Sequence, residues 1–215
     1  MFKNAFGFFT NIHCHVGGGT NNLKNKLYGS GCLVSEGIVI SALHIYERIQ
    51  EEYDFGIILK NDGLFRAEPI LIFKESDIII LKCIEKLKVQ NLGEVNEYPP
   101  IEYPKPFIGT SVGYIGNLQI NNERLKSKQA TFFTQAFISS MIYSNEDSIF
   151  CALSGGVIQK GFSGGAVFTV DCKLIGIMTK RLSVFSHPDE MSGAKYELPI
   201  MVPLFQFQDK INEII

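Results

Sequence analysis

Nowhere in these 215 residues does an apolar run approach the roughly 20 residues that a membrane-spanning helix requires. The opening stretch, MFKNAFGFFTNIHCH, lacks the unbroken apolar segment of a secretory signal. Basic blocks are missing too. Twenty Lys and Arg against 22 Asp and Glu leave a formal charge of −2, so no whole-chain field draws in nucleic acid or an anionic membrane. No C-x-x-C pair occurs. The five cysteines (Cys14, Cys32, Cys83, Cys151 and Cys172) are odd in number and widely spaced, which argues against a disulfide framework and for a reducing compartment. His13 and His15 would share one face of a strand, but no third or fourth residue has fitting metal-ligand spacing. They are read as structural or surface histidines, and neither metal nor cofactor is expected. The absences together point to a soluble, cytoplasmic protein with no nucleic-acid or membrane partner.

What the chain does contain is strand signal. Its length suits one large domain or two small ones sharing an interface, enough to bury a core without staples. Residues 6–16, rich in aromatic and β-branched side chains, read as a strand that runs into a loop at Gly17-Gly18-Gly19. Residues 29–35 and 38–44 read as a hairpin across Glu36-Gly37, its second strand ending in His44, with a short helical turn over 45–52. Residues 55–60 and 64–73 form a second pair around Asn61-Asp62-Gly63, and Asp77 stands at the lip of the apolar run 78–83. From 93 to 106 glutamates and prolines take over, unsuited to a central strand and suited to a linker. Strands resume at 108–116, 129–144 and 147–153, with turns at Asn121-Asn122 and 145–147. A polar loop spans 183–194, the last strand is 195–203, and a short helix closes the chain over 204–214. Many short strands with turns about every ten residues indicate an all-β barrel or sandwich.

Among these strands sits Gly161-Phe162-Ser163-Gly164-Gly165. A serine hydroxyl is a poor nucleophile until a base stands beside it and something holds the negative charge it creates. A glycine-flanked turn exposes the hydroxyl and aims backbone N–H groups at a developing oxyanion. Alone, the motif marks a plain turn as readily as a nucleophile. It also satisfies G-x-S-x-G, but the elbow of that name needs serine before acid before histidine and alternating helices, and here the order is His44, Asp77, Ser163.

That order, with its surroundings, resembles the chymotrypsin-fold (trypsin-like) serine peptidases, especially the HtrA-like protease domain without a PDZ domain. GSGCLVSEGIVISALH is similar to the family's G-S-G-x-x-[IV] strand ending in T-A-A-H, and DIIILK to D-[IL]-A-[LV]-L-K. GYIGN resembles the glycine-rich strand early in the second barrel. GFSGGAVFTVDCKLIGIMT resembles G-N-S-G-G-x-[LV]-x-[ND]-x-x-G-x-[LV]-[IV]-G-I-x-T, and LPIMVP the closing strand. The resemblance spans essentially the whole chain. It implies two six-stranded antiparallel β-barrels with a short C-terminal helix: an N-terminal barrel over 1–98, a linker over 99–107 and a C-terminal barrel over 108–215. It implies an endopeptidase in which Ser163 attacks a peptide carbonyl, His44 carries the proton, Asp77 orients the imidazole, and the N–H groups of Gly161 and Ser163 form the oxyanion hole. Substrate-binding positions would be Val157, Phe162, Thr179, Lys180 and Arg181, with extended substrate pairing along 177–181.

Two departures stand out. Phe162 occupies a position where the family carries Asp or Asn; an Asp there forms a salt bridge to a newly cut N-terminus that shapes the oxyanion hole. Leu43 replaces the small residue before the histidine. The alternative they raise is a catalytically weak relative that binds peptides, and an enzyme so built calls for an activating protein partner beside its peptide or protein substrate.

Overall fold

In a computed structural model of the protein, the described residues are 2–22, 24–60, 63–88, 97–120, 128–144, 148–185 and 195–215. The chain opens with a helix, α1 (Lys3–Ile12), not with the strand expected over 6–16. The deciding feature is spacing. Phe2, Ala5, Phe9 and Ile12 recur at intervals of three, four and three, all are buried, and this is the period of a helix face rather than of a strand. The strand begins only at His13, and β1 (His13–Gly19) takes in the three glycines expected to form a loop. Neighbours occupy the space their side chains would fill: a Cβ on Gly18 would lie 2.4 Å from the Tyr53 ring, so glycine here permits close packing within the strand.

β2 (Asn25–Ser35), β3 (Ile38–Ala42), β4 (Phe55–Lys60), β5 (Gly63–Phe73) and β6 (Ile78–Lys88) complete a closed barrel in the order β1-β2-β3-β6-β5-β4. Between β3 and β4 lies α2 (Leu43–Glu52), so His44 stands in the first turn of a helix and not at a strand end. The second barrel comprises β7 (Ser111–Ile120), β8 (Lys128–Tyr143), β9 (Ile149–Ser154), β10 (Ala166–Phe168), β11 (Leu174–Phe185) and β12 (Lys195–Pro203). It closes as β7-β8-β9-β12-β11-β10, the same winding as the first. Closure leaves no sheet edge to protect, and every strand pairing in both barrels is antiparallel. The proline-rich segment adds one isolated bridge, Ile101 to Leu174. A 3₁₀ turn (Leu204–Phe207) and α3 (Gln208–Asn212) end the chain, as the terminal-helix expectation has it. The turns expected at 61–62, 121–122 and 145–147, and most of the loop over 183–194, lie outside the described residues.

Each barrel has its own core. The first is built on Val16, Val39, Ile58, Ile79 and Leu81, and the second on Val112, Tyr114, Ile138, Leu153 and Met178. A third cluster joins them. Phe2 just before α1, Phe9 and Ile12 of α1, Ile40 and Ile80 of the first barrel, Phe168, Ile177 and Val202 of the second, and Phe207 and Ile211 near the C-terminus pack together as one buried body. That shared core sets the two barrels against each other, and the site lies where their loops meet.

Candidate active site

His44 and Ser163 line one cleft of about 210 Å³, with Tyr28, Ile45, Arg48, Ile158, Gln159, Lys160, Gly161 and Thr179 completing its wall. The first barrel supplies the histidine through α2. Ala42, in the capping position before that helix, makes no side-chain cap, so the first-turn N–H groups need an acceptor from elsewhere. Asp77 provides it. Its carbonyl oxygen accepts from Leu43 N–H at 3.0 Å, and its Oδ1 accepts from His44 N–H at 2.8 Å. Its Oδ2 lies 2.7 Å from His44 Nδ1. One carboxylate thus caps the helix and holds the imidazole by the nitrogen on its far side. Asp77 is buried while the His44 side chain is 40% exposed, so the imidazole is anchored below and open to the cleft above.

Asp77 reaches this position through backbone in the left-handed region, φ 58°, at the end of the turn from Lys74. Aspartate is among the few non-glycine residues that occupy this region readily, because its short carboxylate bonds locally. Beside it, Ser76 Oγ and Ser148 Oγ lie 2.9 Å apart, a buried polar tie between the barrels.

The second barrel supplies the serine on the turn before β10. Gly161 at φ 101° and Gly164 at φ 82° bend the chain into a conformation that other residues rarely adopt. Both are also closely approached by backbone: a Cβ on Gly164 would be 1.9 Å from the Ser30 carbonyl oxygen of the first barrel, and one on Gly161 would be 2.1 Å from that of Asn117 in β7 of the second. Among the described residues, the N–H groups of Gly161 and Ser163 donate to no protein acceptor. They are therefore available to a negatively charged oxygen in the cleft.

The Ser163 hydroxyl donates to the Thr179 carbonyl oxygen at 2.9 Å, and among the described residues no hydrogen bond joins it to His44. Thr179 and its neighbour Lys180 fall where the β11/β12 register slips, between Met178 opposite Met201 and Arg181 opposite Pro199. The bulge takes this part of β11 out of its ladder and turns the Thr179 carbonyl toward the serine.

Of the five positions expected to bind substrate, Thr179 lines the cleft. Phe162 does not. Its side chain is 2% exposed, packs edge-on to Tyr114 with ring centroids 5.8 Å apart, and belongs to the second barrel's core. Gly161 turns the chain so sharply that Phe162, between it and Ser163, points inward. Val157 is 58% exposed and outside the cleft, and its carbonyl accepts from the Tyr114 hydroxyl at 2.8 Å. Lys180 is exposed beside the cleft, and the Arg181 side chain lies outside the described residues. Leu43 is buried in the first barrel's core and does not crowd the cleft.

The cleft wall contains residues that motif reading missed, Tyr28 and Arg48 above all. Arg48 Nε donates to Glu52 Oε1 at 3.0 Å, and its guanidinium lies over the Tyr28 ring at 4.5 Å. Glu52 also accepts from the Tyr28 hydroxyl. The i, i+4 spacing of Arg48 and Glu52 on a helix was the only available signal. His13 and His15 do share a face of β1, with ring centroids 5.9 Å apart. Among the described residues no three His, Cys, Asp or Glu side chains gather as a metal site.

A family model described as Trypsin matches residues 10–194. Among solved structures, the chain is similar to the serine endoprotease from Yersinia pestis, with 20% identity and a TM-score of 0.64. That match covers 99% of this chain and 66% of the other, so the chain spans just under two thirds of its neighbour. It is similar also to Rv3671c from M. tuberculosis, a serine-to-alanine mutant in its inactive form, with 13% identity, a TM-score of 0.62, and coverage of 99% and 91% of the two chains. No curated protein matches.

Proposed function

The chain belongs to the trypsin family of serine proteases, and from that premise we propose that it is an endopeptidase whose nucleophile is Ser163. The observation that carries the proposal is the His44–Asp77 pair at 2.7 Å, open to the cleft that Ser163 also lines. Ser163 Oγ adds to the scissile carbonyl carbon while its proton passes to His44 Nε2. Asp77 keeps Nδ1 protonated and stabilises the imidazolium that results. The N–H groups of Gly161 and Ser163 receive the oxyanion. The imidazolium then returns its proton to the leaving amine, the C–N bond breaks, and water, deprotonated by the same imidazole, releases the acyl group.

The serine hydroxyl has to leave Thr179 for this to begin. A substrate laid as an extended strand beside β11 would offer an N–H to the same carbonyl, which frees the hydroxyl to rotate toward His44. Among the described residues the cleft wall carries Arg48 and Lys160 and no carboxylate, which supports preference for acidic residues near the scissile bond. All five cysteines are free, which supports a reducing, cytoplasmic setting.

A fluorophosphonate probe tests the reading. It is expected to label Ser163 in the wild type, and Ser163→Ala and His44→Ala are expected to abolish labelling. Hydrolysis by Ser163→Ala should fall by about six orders of magnitude, as in a comparable serine protease. A second reading, a peptide-binding module without turnover, draws on the bond from Ser163 to Thr179. Folded wild type that resists the probe but binds peptides would favour it.

A further inference from the structure

Resting on the peptidase reading above, we propose that Ser30, a residue of the first barrel remote in sequence from the nucleophile, is a positioning residue that clasps the Ser163 loop and holds the oxyanion hole in shape. Ser30 lies in β2, is fully buried, and grips the loop twice. Its N–H donates to the Ser163 carbonyl oxygen at 2.8 Å, and its hydroxyl donates to the Gly161 carbonyl oxygen at 2.6 Å. These are the carbonyls of the same two residues whose N–H groups face the oxyanion.

The direction of each bond is forced. The Gly161 carbonyl only accepts, so Ser30 Oγ has to donate to it. Asn117 N–H only donates, and it lies 3.0 Å from Ser30 Oγ, so the hydroxyl's lone pair is taken as well. The same N–H approaches the Gly161 carbonyl at 3.3 Å. The two loop peptides are also held at their other ends: Phe162 N–H donates to the Gln159 carbonyl at 3.3 Å, and Gly164 N–H to the Met178 carbonyl at 2.7 Å. A planar peptide fixed at both its oxygen and its nitrogen cannot flip, so the orientation of the loop is set on both sides of the Phe162–Ser163 peptide, the one that carries the Ser163 N–H.

The clasp is itself supported. Ser41 Oγ, buried in β3, donates to the Ser30 carbonyl at 2.7 Å. The strand bearing Asn117 is tied to β1 through its side chain, whose Oδ1 accepts from His13 Nε2 at 2.8 Å while Nδ2 approaches the Cys14 carbonyl at 3.5 Å. The close approach that brings Ser30 to the loop is allowed by the missing side chain at Gly164, where a Cβ would lie 1.9 Å from the Ser30 carbonyl oxygen. Where an acidic residue before the serine would hold such a loop by a salt bridge, this chain buries Phe162 and holds the loop with a hydroxyl and a peptide from the opposite barrel.

The test compares wild type with Ser30→Ala on one peptide substrate. Losing the hydroxyl leaves the N–H contact and should lower kcat by about 10- to 100-fold, the scale expected when catalytic groups drift by a fraction of an ångström. KM should stay within about threefold, because the hole engages the transition state and not the ground state. Affinity for a peptide boronic acid, which forms a tetrahedral adduct, should fall in step with kcat. Affinity of an uncleaved peptide, measured in a Ser163→Ala background, should not change. A Ser30→Ala enzyme with kcat within about threefold of wild type overturns the clasp, as does a loss carried by KM. Should circular dichroism show Ser30→Ala unfolded, Ser30→Cys, a near-isosteric weak donor, takes its place with the same expected split. Labelling of the wild type by the fluorophosphonate probe separates the two claims. A labelled wild type with an unaffected Ser30 variant sinks the clasp alone, whereas an unlabelled wild type removes the peptidase reading and the clasp's role together.

Discussion

Asp77 performs two tasks with one side chain, and the tasks respond differently to substitution. Its Oδ1 caps α2 through His44 N–H, and its Oδ2 meets the imidazole at Nδ1. Asparagine tolerates the left-handed backbone at this position and can still accept through one oxygen, but its amide would present donors where Nδ1–H needs an acceptor. Asp77→Asn should therefore stay folded and lose on the order of 10⁴-fold in kcat, the loss known for this swap in a Ser-His-Asp enzyme. Thermal denaturation beside kinetics checks both halves: an Asn variant that keeps its activity refutes the orienting role. The residue types of the candidate triad were visible as motifs in the sequence. The capping task was not, because it depends on Ala42 being unable to cap and on two turns 33 residues apart meeting in space.

At the level of elements, α1 shows where propensity misleads. KNAFGFFTNI is rich in aromatics, which favour strands, but its apolar residues repeat with helical spacing. The spacing prevails because it lays one continuous face on the cluster joining the barrels. Phe9 is fully buried and stacks on Phe168, with ring centroids 3.9 Å apart and planes 5° from parallel. Phe9→Ala should cost about 3–5 kcal/mol, the usual range for emptying a buried aromatic site. Urea unfolding measures it, and a loss below about 1 kcal/mol would mean that the helix is dispensable to the shared core. The β11 bulge is the opposite case. Nothing in LIGIMTKRL announces it, since a register slip is a property of two strands and not of one.

For the molecule as a whole, β1 carries ionisable groups withdrawn from solvent, and one of them, His13, bonds across to Asn117 of the second barrel. Desolvation lowers the pKa of His13 to about 3 and that of His15 to about 4. Lys60, whose Nζ donates to the His13 carbonyl at 3.0 Å, pushes both in the same direction. Above the ordinary value near 6.5 these histidines are neutral whether folded or not, and stability is unaffected. Below it the unfolded chain takes up protons that the folded chain refuses, so stability falls as pH drops from about 6.5 toward 4 and 3. The slope is up to about 1.4 kcal/mol per pH unit for each histidine. Urea midpoints at pH 7 and pH 5 should differ by about 2 kcal/mol or more in unfolding free energy, and His15→Gln should shrink the gap. Equal midpoints would mean that these histidines are open to solvent protons in the native state.

Alternation of apolar residues, turn chemistry and the serial order of His44, Asp77 and Ser163 are local or one-dimensional properties, and the sequence determined by itself that the chain is all-β and which residue types the site would use. Closure of each barrel, the inward turn of Phe162, the capping of α2 by Asp77, the Ser163 bond to Thr179 and the grip of Ser30 on the opposite loop were decided only in three dimensions. Each depends on backbone groups from distant segments, and every residue except proline carries the same N–H and C=O whatever its side chain. Which of those groups meet is set by how the barrels pack, and no pattern of side chains records it.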